Sequence, residues 1–305
     1  MAHGPDTDDL LPLYIQNNTL AIEWFDITSL PDLPNTIHRL ICSYSTLMQL
    51  PSDLPIYLEE LTCDHMSLHS LPKLPRTLKI LNCYNTHIPH LPTLPNQLRE
   101  LRCSYTKIKE LPHLPKSLKI LDCSHTQLTN LPHLPKYLQH IECHNTKIEK
   151  LPDPLPKYLK LLNCSHTQIT CLPELPGLLA YLNCTNTNIT SLPQLPDSLE
   201  KLYCGHTCLT KLPKLPGLLT QLHCEHTNIT KIPKLPRNLE TLLCNHTFIS
   251  TLPKIPKSIR HLACGKTPFV VECVRAESYE QYIQELLYFS RCRHMSNIIK
   301  DELIG

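Results

Sequence analysis

The stretch Leu111-Pro112-His113-Leu114-Pro115-Lys116-Ser117-Leu118-Lys119-Ile120-Leu121-Asp122-Cys123-Ser124-His125-Thr126-Gln127-Leu128-Thr129-Asn130 is one copy of a twenty-residue unit that recurs from Leu30 to about Phe269. Copies begin at Leu30, Leu50, Leu71, Leu91, Leu111, Leu131, Leu151, Leu172, Leu192, Leu212, Ile232 and Leu252. Around Leu121 and Cys123 the alternation has period two, which turns those side chains inward and sends Ile120, Asp122 and Ser124 outward in three columns. One copy carries a single apolar stripe and can bury it only against its neighbours. The chain is therefore expected to stack as a solenoid with parallel strands ~4.8 Å apart. Two copies gain a residue, in the segments Leu50–Pro55 and Leu151–Pro156, and both place it between the Leu-Pro steps, where a surface loop tolerates insertion.

The 29 prolines, against only 6 glycines, are concentrated in those Leu-Pro steps and stay in phase with the leucines. Proline at the second and fifth positions removes amide donors and pushes the preceding leucine into an extended conformation, so the return path cannot be a regular helix. A polyproline-like segment fits it. The expected domain plan is an N-terminal cap and partial repeat over 1–29, twelve repeats over 30–270, and a C-terminal cap over 271–305. In the first of these, Leu20 and Ile22 match the second half of a unit, with Ile22 where cysteine is expected. In the last, Tyr279, Tyr282, Ile283, Leu286, Leu287 and Ser290 fall at helical spacing and predict a short amphipathic helix closing the open sheet edge, or recruiting another protein.

A net charge of +2 lacks the strong basic balance of a dedicated nucleic-acid binder. No run approaches a membrane span, and the first residues lack the basic start and apolar stretch of a secretory signal. Twelve of the 16 cysteines (Cys42, Cys63, Cys83, Cys103, Cys123, Cys143, Cys164, Cys184, Cys204, Cys224, Cys244, Cys264) share one inward slot. Their β-carbons, held near the ~4.8 Å strand repeat, sit wider than the ~3.8 Å a disulfide prefers, so reduced thiols packed as small hydrophobes are expected, and with them a reducing, cytoplasmic location. Ser45 and Thr86, Thr106, Thr126, Thr146, Thr167, Thr187, Thr207, Thr227, Thr247 and Thr267 follow in a slot where a hydroxyl can satisfy a backbone group, Met66 being the exception.

Just before that slot stand His65, His125, His166, His206, His226 and His246. Histidines in register raise the question of a metal site, with His206, His226 and His246 the best ligands. Tyr44, Asn85, Tyr105, Asn145 and Asn186 occupy the same column, however, so it reads as a polar planar position at a turn, and neither metal nor cofactor is expected. No catalytic set emerges, because every Cys-x-His pair is a product of the repeat. Asp122 beside Glu142 would suit an acid and base, but Arg102 adjoins Asp122 in the same column and makes a solvated charge row of them.

The outward columns carry Ile80, Ile120, Leu161, Tyr181 and Thr241 in one, and Arg102, Asp122, Glu142, Tyr203, His223 and Leu243 in another. Aromatic and arginine side chains dominate interface energies, so Arg102, Tyr181, Tyr203 and His223 are the expected partner-binding residues, with Asp122 and Glu142 adding polar selectivity. A second, basic row follows the second proline of half the units: Arg76, Lys116, Lys136, Lys157, Arg237 and Lys257. It reads as solubilising, with acidic protein or anionic lipid as the surfaces it would meet.

The frame Leu-x-x-Leu-x-Cys-x-x-Thr-x-Ile/Leu behind Leu-Pro-x-Leu-Pro is a leucine-rich repeat, and it resembles the short repeats of secreted bacterial effectors of the YopM and IpaH type. The Cys-x-His-Thr signature also resembles leucine-rich repeat proteins of giant DNA viruses. The resemblance covers about four fifths of the chain. It implies a leucine-rich repeat solenoid with a concave parallel sheet, an extended convex side, and capture of a host protein on the sheet face. A structural or virion scaffold is the alternative. The ubiquitin ligase domain of IpaH-like effectors is not implied here, because about thirty-five residues follow the repeats, and threonine in place of asparagine departs from the bacterial pattern.

Overall fold

The computed structural model describes residues 15–269, with 25, 26 and 28 excepted. The expected helix at Tyr279 to Ser290 and the rest of the 271–305 cap lie outside the described residues, and the named elements within them are all strands. Two compact units are present, one reaching residue 152 and including 156–159, the other formed by 153–155 and the residues from 160. The first holds β1 (Ile15–Gln16), β2 (Thr19–Ala21), β3 (Arg39–Ile41), β4 (Glu60–Thr62), β5 (Ile80–Asn82), β6 (Glu100–Arg102), β7 (Ile120–Asp122) and β8 (His140–Glu142). The second holds β9 (Leu161–Asn163), β10 (Tyr181–Asn183), β11 (Lys201–Tyr203), β12 (Gln221–His223), β13 (Thr241–Leu243) and β14 (His261–Ala263).

Within each unit, strands adjacent in sequence pair in parallel at a one-copy offset, as in Leu101 beside Leu121 and Leu202 beside Leu222. The short strands understate the ladder. Beyond β7 it continues through Cys123 N to Glu142 O at 2.9 Å and His125 N to His144 O at 2.9 Å. The core follows the apolar stripe: Leu118, Leu121, Cys123 and Leu128 are fully buried, and the Leu-Pro leucines Leu114 and Leu131 close the back. There the second proline starts a turn in which its carbonyl accepts from the leucine three residues on, as Pro115 O does from Leu118 N at 3.1 Å. That leucine then enters the strand facing inward.

One feature at the start of the fold is absent from the repeat pattern. Ile22 is buried and donates to Ile41 O at 2.8 Å, so it occupies the cysteine slot as expected. Ahead of it, however, β1 folds back antiparallel on β2 through Asn17 and Asn18, with φ of 50° and 60°. Asparagine tolerates this left-handed pair, which a tight hairpin turn demands, and the hairpin covers the β2 edge that would otherwise be unpaired.

The cysteine slot is tighter than hydrophobic packing alone requires. The amides of ten ladder cysteines donate to the carbonyl of the next copy, as Cys63 N does to Asn82 O, and several thiols point at that same oxygen: Cys63 Sγ lies 3.4 Å from Asn82 O, and Cys204 Sγ 3.3 Å from His223 O. A small side chain with a weak donor fits there. No disulfide joins the described cysteines. The hydroxyl slot is equally uniform, with Thr126 Oγ1 donating to Cys123 O at 2.8 Å and Thr227 Oγ1 to Cys224 O at 2.7 Å. This bond satisfies the carbonyl where the chain leaves the sheet. Met66 fills the same position by burial without such a bond.

Burial pushes the ladder thiols up, Cys42, Cys83 and Cys164 to about 12. Between an ordinary unfolded value of about 8.5 and 12, the unfolded chain releases thiol protons that the folded chain retains, so stability falls as pH rises. Each such thiol contributes a slope of about 1.4 kcal/mol per pH unit. Far-ultraviolet circular dichroism is expected to show cooperative unfolding above about pH 9, whereas a signal unchanged to pH 11 would contradict the buried ladder. At neutral pH, thiol labelling mapped by mass spectrometry should reach the exposed Cys171 and Cys208 well before the twelve ladder positions.

Candidate protein-interaction face

The sheet positions its outward side chains by alternation alone, and the expected columns are where the sequence puts them: Arg102 pairs in register with Asp122, Asp122 with Glu142, and Tyr203 with His223. In the first unit, Arg102 forms its ion pair with Glu100 of its own strand rather than with Asp122. Asp122 is instead held by hydroxyls, accepting from Ser104 Oγ at 2.8 Å and Ser124 Oγ at 2.7 Å, and from Ser124 N at 3.1 Å. Glu142 lies 3.2 Å from His144 Nδ1.

These contacts correct the three-column reading. Ser43, Ser104, Ser124 and Ser165 are buried, not outward. Ser124 and Ser165 donate to Asp122 and Asn163 two residues earlier at 2.7 and 2.8 Å, and Ser43 and Ser104 donate to Asp64 and Asp122 of the next copy at 2.6 and 2.8 Å. Asn82, Asn163 and Asn183 do the same as Asp122, accepting from the amides of Tyr84, Ser165 and Thr185 at 3.1, 3.3 and 3.1 Å. Asp122 thus terminates a strand before it offers selectivity. The signal in the sequence was an Asn or Asp two residues before a Ser, Thr or Tyr at the end of an alternating run.

In the second unit, three of the expected residues come together as an aromatic cluster. Tyr181 and Tyr203 meet edge to face with centroids 5.4 Å apart, and Tyr203 lies 4.4 Å from His223. The Tyr203 hydroxyl donates to Gln221 Oε1, a partner the sequence reading did not single out. Burial holds the His223 imidazole below its ordinary range and the Tyr203 phenol above its own, which keeps both neutral near pH 7. The cluster is half-buried and uncharged.

The column before the threonines is the turn position expected of it, but sequence reasoning missed its left-handed backbone and the stacking of its rings. Every member, from Tyr44 to Lys266, has a positive φ between 51° and 57°, and none is glycine. His, Asn and Tyr recur there because the chain must turn left-handed, a conformation that Asn and His accept more readily than β-branched residues. The rings then stack between copies. In the first unit Trp24 to Tyr44, Tyr44 to His65 and Tyr105 to His125 lie at 4.1, 4.2 and 3.8 Å. In the second, His206 to His226 and His226 to His246 lie at 4.2 and 4.1 Å with interplanar angles of 14° and 15°. Imidazole lone pairs lie in the ring plane, so parallel stacked rings do not aim them at a common point. Among the described residues no group of three or more His, Cys, Asp or Glu is arranged to hold a metal ion.

A YopM from Yersinia enterocolitica WA-314 is 35% identical and superposes with a TM-score of 0.76, over 78% of this chain and 53% of that one. This chain has the YopM-like leucine-rich repeat fold. It spans about half the length of that relative. The leucine-rich effector YopM of Yersinia pestis matches at 28% identity and a TM-score of 0.65, covering 84% of this chain and 90% of that one. A leucine-rich repeat protein of Leptospira interrogans shares the fold at 21% identity and a TM-score of 0.63, with 88% of each chain covered. No protein-family model matches the sequence, and no curated protein matches it significantly. These neighbours carry the YopM half of the expected resemblance, while the viral half has no support among them. Leucine-rich repeat folds of this kind serve as protein-interaction modules, effectors included.

Partial desolvation between the stacked rings, then the charges of His246 and His206, hold the exposed His226 imidazole below its ordinary value. As pH falls below about 6.5, the unfolded chain takes up protons that the folded chain refuses, so stability falls in acid. The thermal midpoint is expected to be lower at pH 5 than at pH 7.5, with a smaller gap in His226→Asn. Val at the same position should cost about 1–2 kcal/mol in a urea titration because of its β-branch in the left-handed turn, whereas Asn should be close to neutral.

Proposed function

We propose that this chain is a protein-interaction module that captures its partner on the outward face of the sheet and performs no catalysis. The observation that carries the reading is the Tyr181, Tyr203 and His223 cluster, a neutral aromatic surface on the outward face, flanked by Leu161 and Leu243. Such groups bring large apolar area with little rotamer entropy left to lose, the composition of interface anchors. Arg102 is the corresponding anchor on the first unit, oriented by Glu100. Asp122 and Glu142 contribute the shape and polarity of the rim around it. The effector character of the Yersinia pestis relative supports a host protein as partner, in a reducing cytoplasm that would keep the cysteine ladder as thiols. Among the described residues no helix is long and apolar enough to cross a membrane.

Affinity purification with the full chain as bait, followed by titration of the recovered protein, checks this reading. One stoichiometric partner is expected, and Tyr181→Ala with Tyr203→Ala should weaken it by about 30-fold or more, as loss of an interface anchor does. A partner whose affinity survives those changes and Arg102→Ala would place the interface elsewhere. Recovery of the chain's own copies as the stoichiometric species would favour the scaffold alternative.

A further inference from the structure

The back of the second unit carries a charged array that the sheet-face reading does not use. In the return segments exposure recurs at every third residue, as at Lys211, Lys214 and Gly217, while Leu212 and Leu215 between them are buried. Three residues per turn is the period of polyproline II, so those positions share one side of the extended return, spaced by ~9 Å, with the next copy ~4.8 Å away. Over three consecutive copies this makes a grid: Lys211, Lys214, Gly217; Lys231, Lys234, Arg237; Thr251, Lys254, Lys257. All nine positions are exposed. Seven are basic, and the equivalent returns 209–221, 229–241 and 249–261 contain one acidic residue, Glu240, which lies 3.8 Å from Arg260. Among the described residues none of the seven belongs to an ion pair.

The same positions elsewhere are mixed, and only Ser70, Lys73 and Arg76 match one row of the grid, with no basic copy beside them. The two preceding copies carry Cys171, Glu174, Gly177 and Ser191, Gln194, Asp197, and in the first unit one copy reads Glu110, His113, Lys116. A net charge of +2 for the whole chain thus conceals a local excess of seven. We infer that this grid is a docking surface for an anionic lipid bilayer. The array extends in two dimensions, so a planar field of head groups meets all seven cations, whereas a linear polyanion laid along the copies meets chiefly the Lys214, Lys234 and Lys254 row. Leu218, 53% exposed beside Gly217, adds an apolar side chain at the border of the grid. Basic clusters held near an anionic membrane surface gain about 1 kcal/mol per Lys or Arg, enough in sum for reversible attachment without a spanning helix.

The test is sedimentation of the full chain with vesicles of phosphatidylcholine alone and of phosphatidylcholine containing phosphatidylserine. Binding is expected for the second composition only, weakening as salt rises. Lys231→Glu, Lys234→Glu and Arg237→Glu together should lower partitioning by about 100-fold or more, with the three glutamine changes intermediate. Lys116→Glu with Lys136→Glu on the first unit, and Tyr203→Ala on the sheet face, should leave it unchanged, which separates this surface from the proposed protein-binding face. Equal partitioning to both compositions, no binding to either, or retention of an acidic peptide or oligonucleotide without vesicle binding would each overturn it.

Discussion

The fold depends on each strand handing its hydrogen bonds and its apolar stripe to the next copy at an unchanged offset. A three-residue strand such as Ile120–Asp122 has almost no stability of its own. It is held because the ladder runs on through Cys123 and His125 to the neighbouring copy, and because Leu118, Leu121 and Leu128 are sealed against their equivalents. The buried slots are uniform for that reason: cysteine and a hydroxyl recur copy after copy, with Ile22 and Met66 as the buried exceptions.

Three positions of the unit are released from that constraint and carry the chain's individuality. The outward strand residues touch solvent on a rigid backing, so they differ from copy to copy, from the Arg102–Glu100 pair to the Tyr181–Tyr203–His223 cluster. The exposed positions of the return are similarly free, and in three successive copies they have accumulated lysine and arginine. The left-handed position is intermediate. Its backbone conformation is imposed, its side chain is selected for tolerating it, and the one-copy spacing then brings its rings into stacking distance.

Much of this was legible in the chain itself. Period-two alternation around Leu121 and Cys123 gave strand direction and register, and paired prolines excluded a helical return, because both follow from local sterics and from which side chains must leave water. The outward columns followed from the same alternation. Less legible was what a polar side chain does once it has a neighbour. Asp122 looked like a solvated acid beside Arg102, yet it caps its own strand with Ser104 and Ser124, and the serine expected outside is buried by that bond. The Asn17–Asn18 hairpin lay outside the repeat and was overlooked for that reason.

Sequence by itself determined the repeat length, the inward stripe, the hydroxyl slot and the extended return, since each is dictated by interactions within one copy or by identical interactions with the next. Tertiary structure alone decided which ring stacks on which, which carboxylate is already occupied, and which outward aromatics converge. Those outcomes depend on the left-handed turn and on side-chain reach across copies, distances that a linear pattern does not contain.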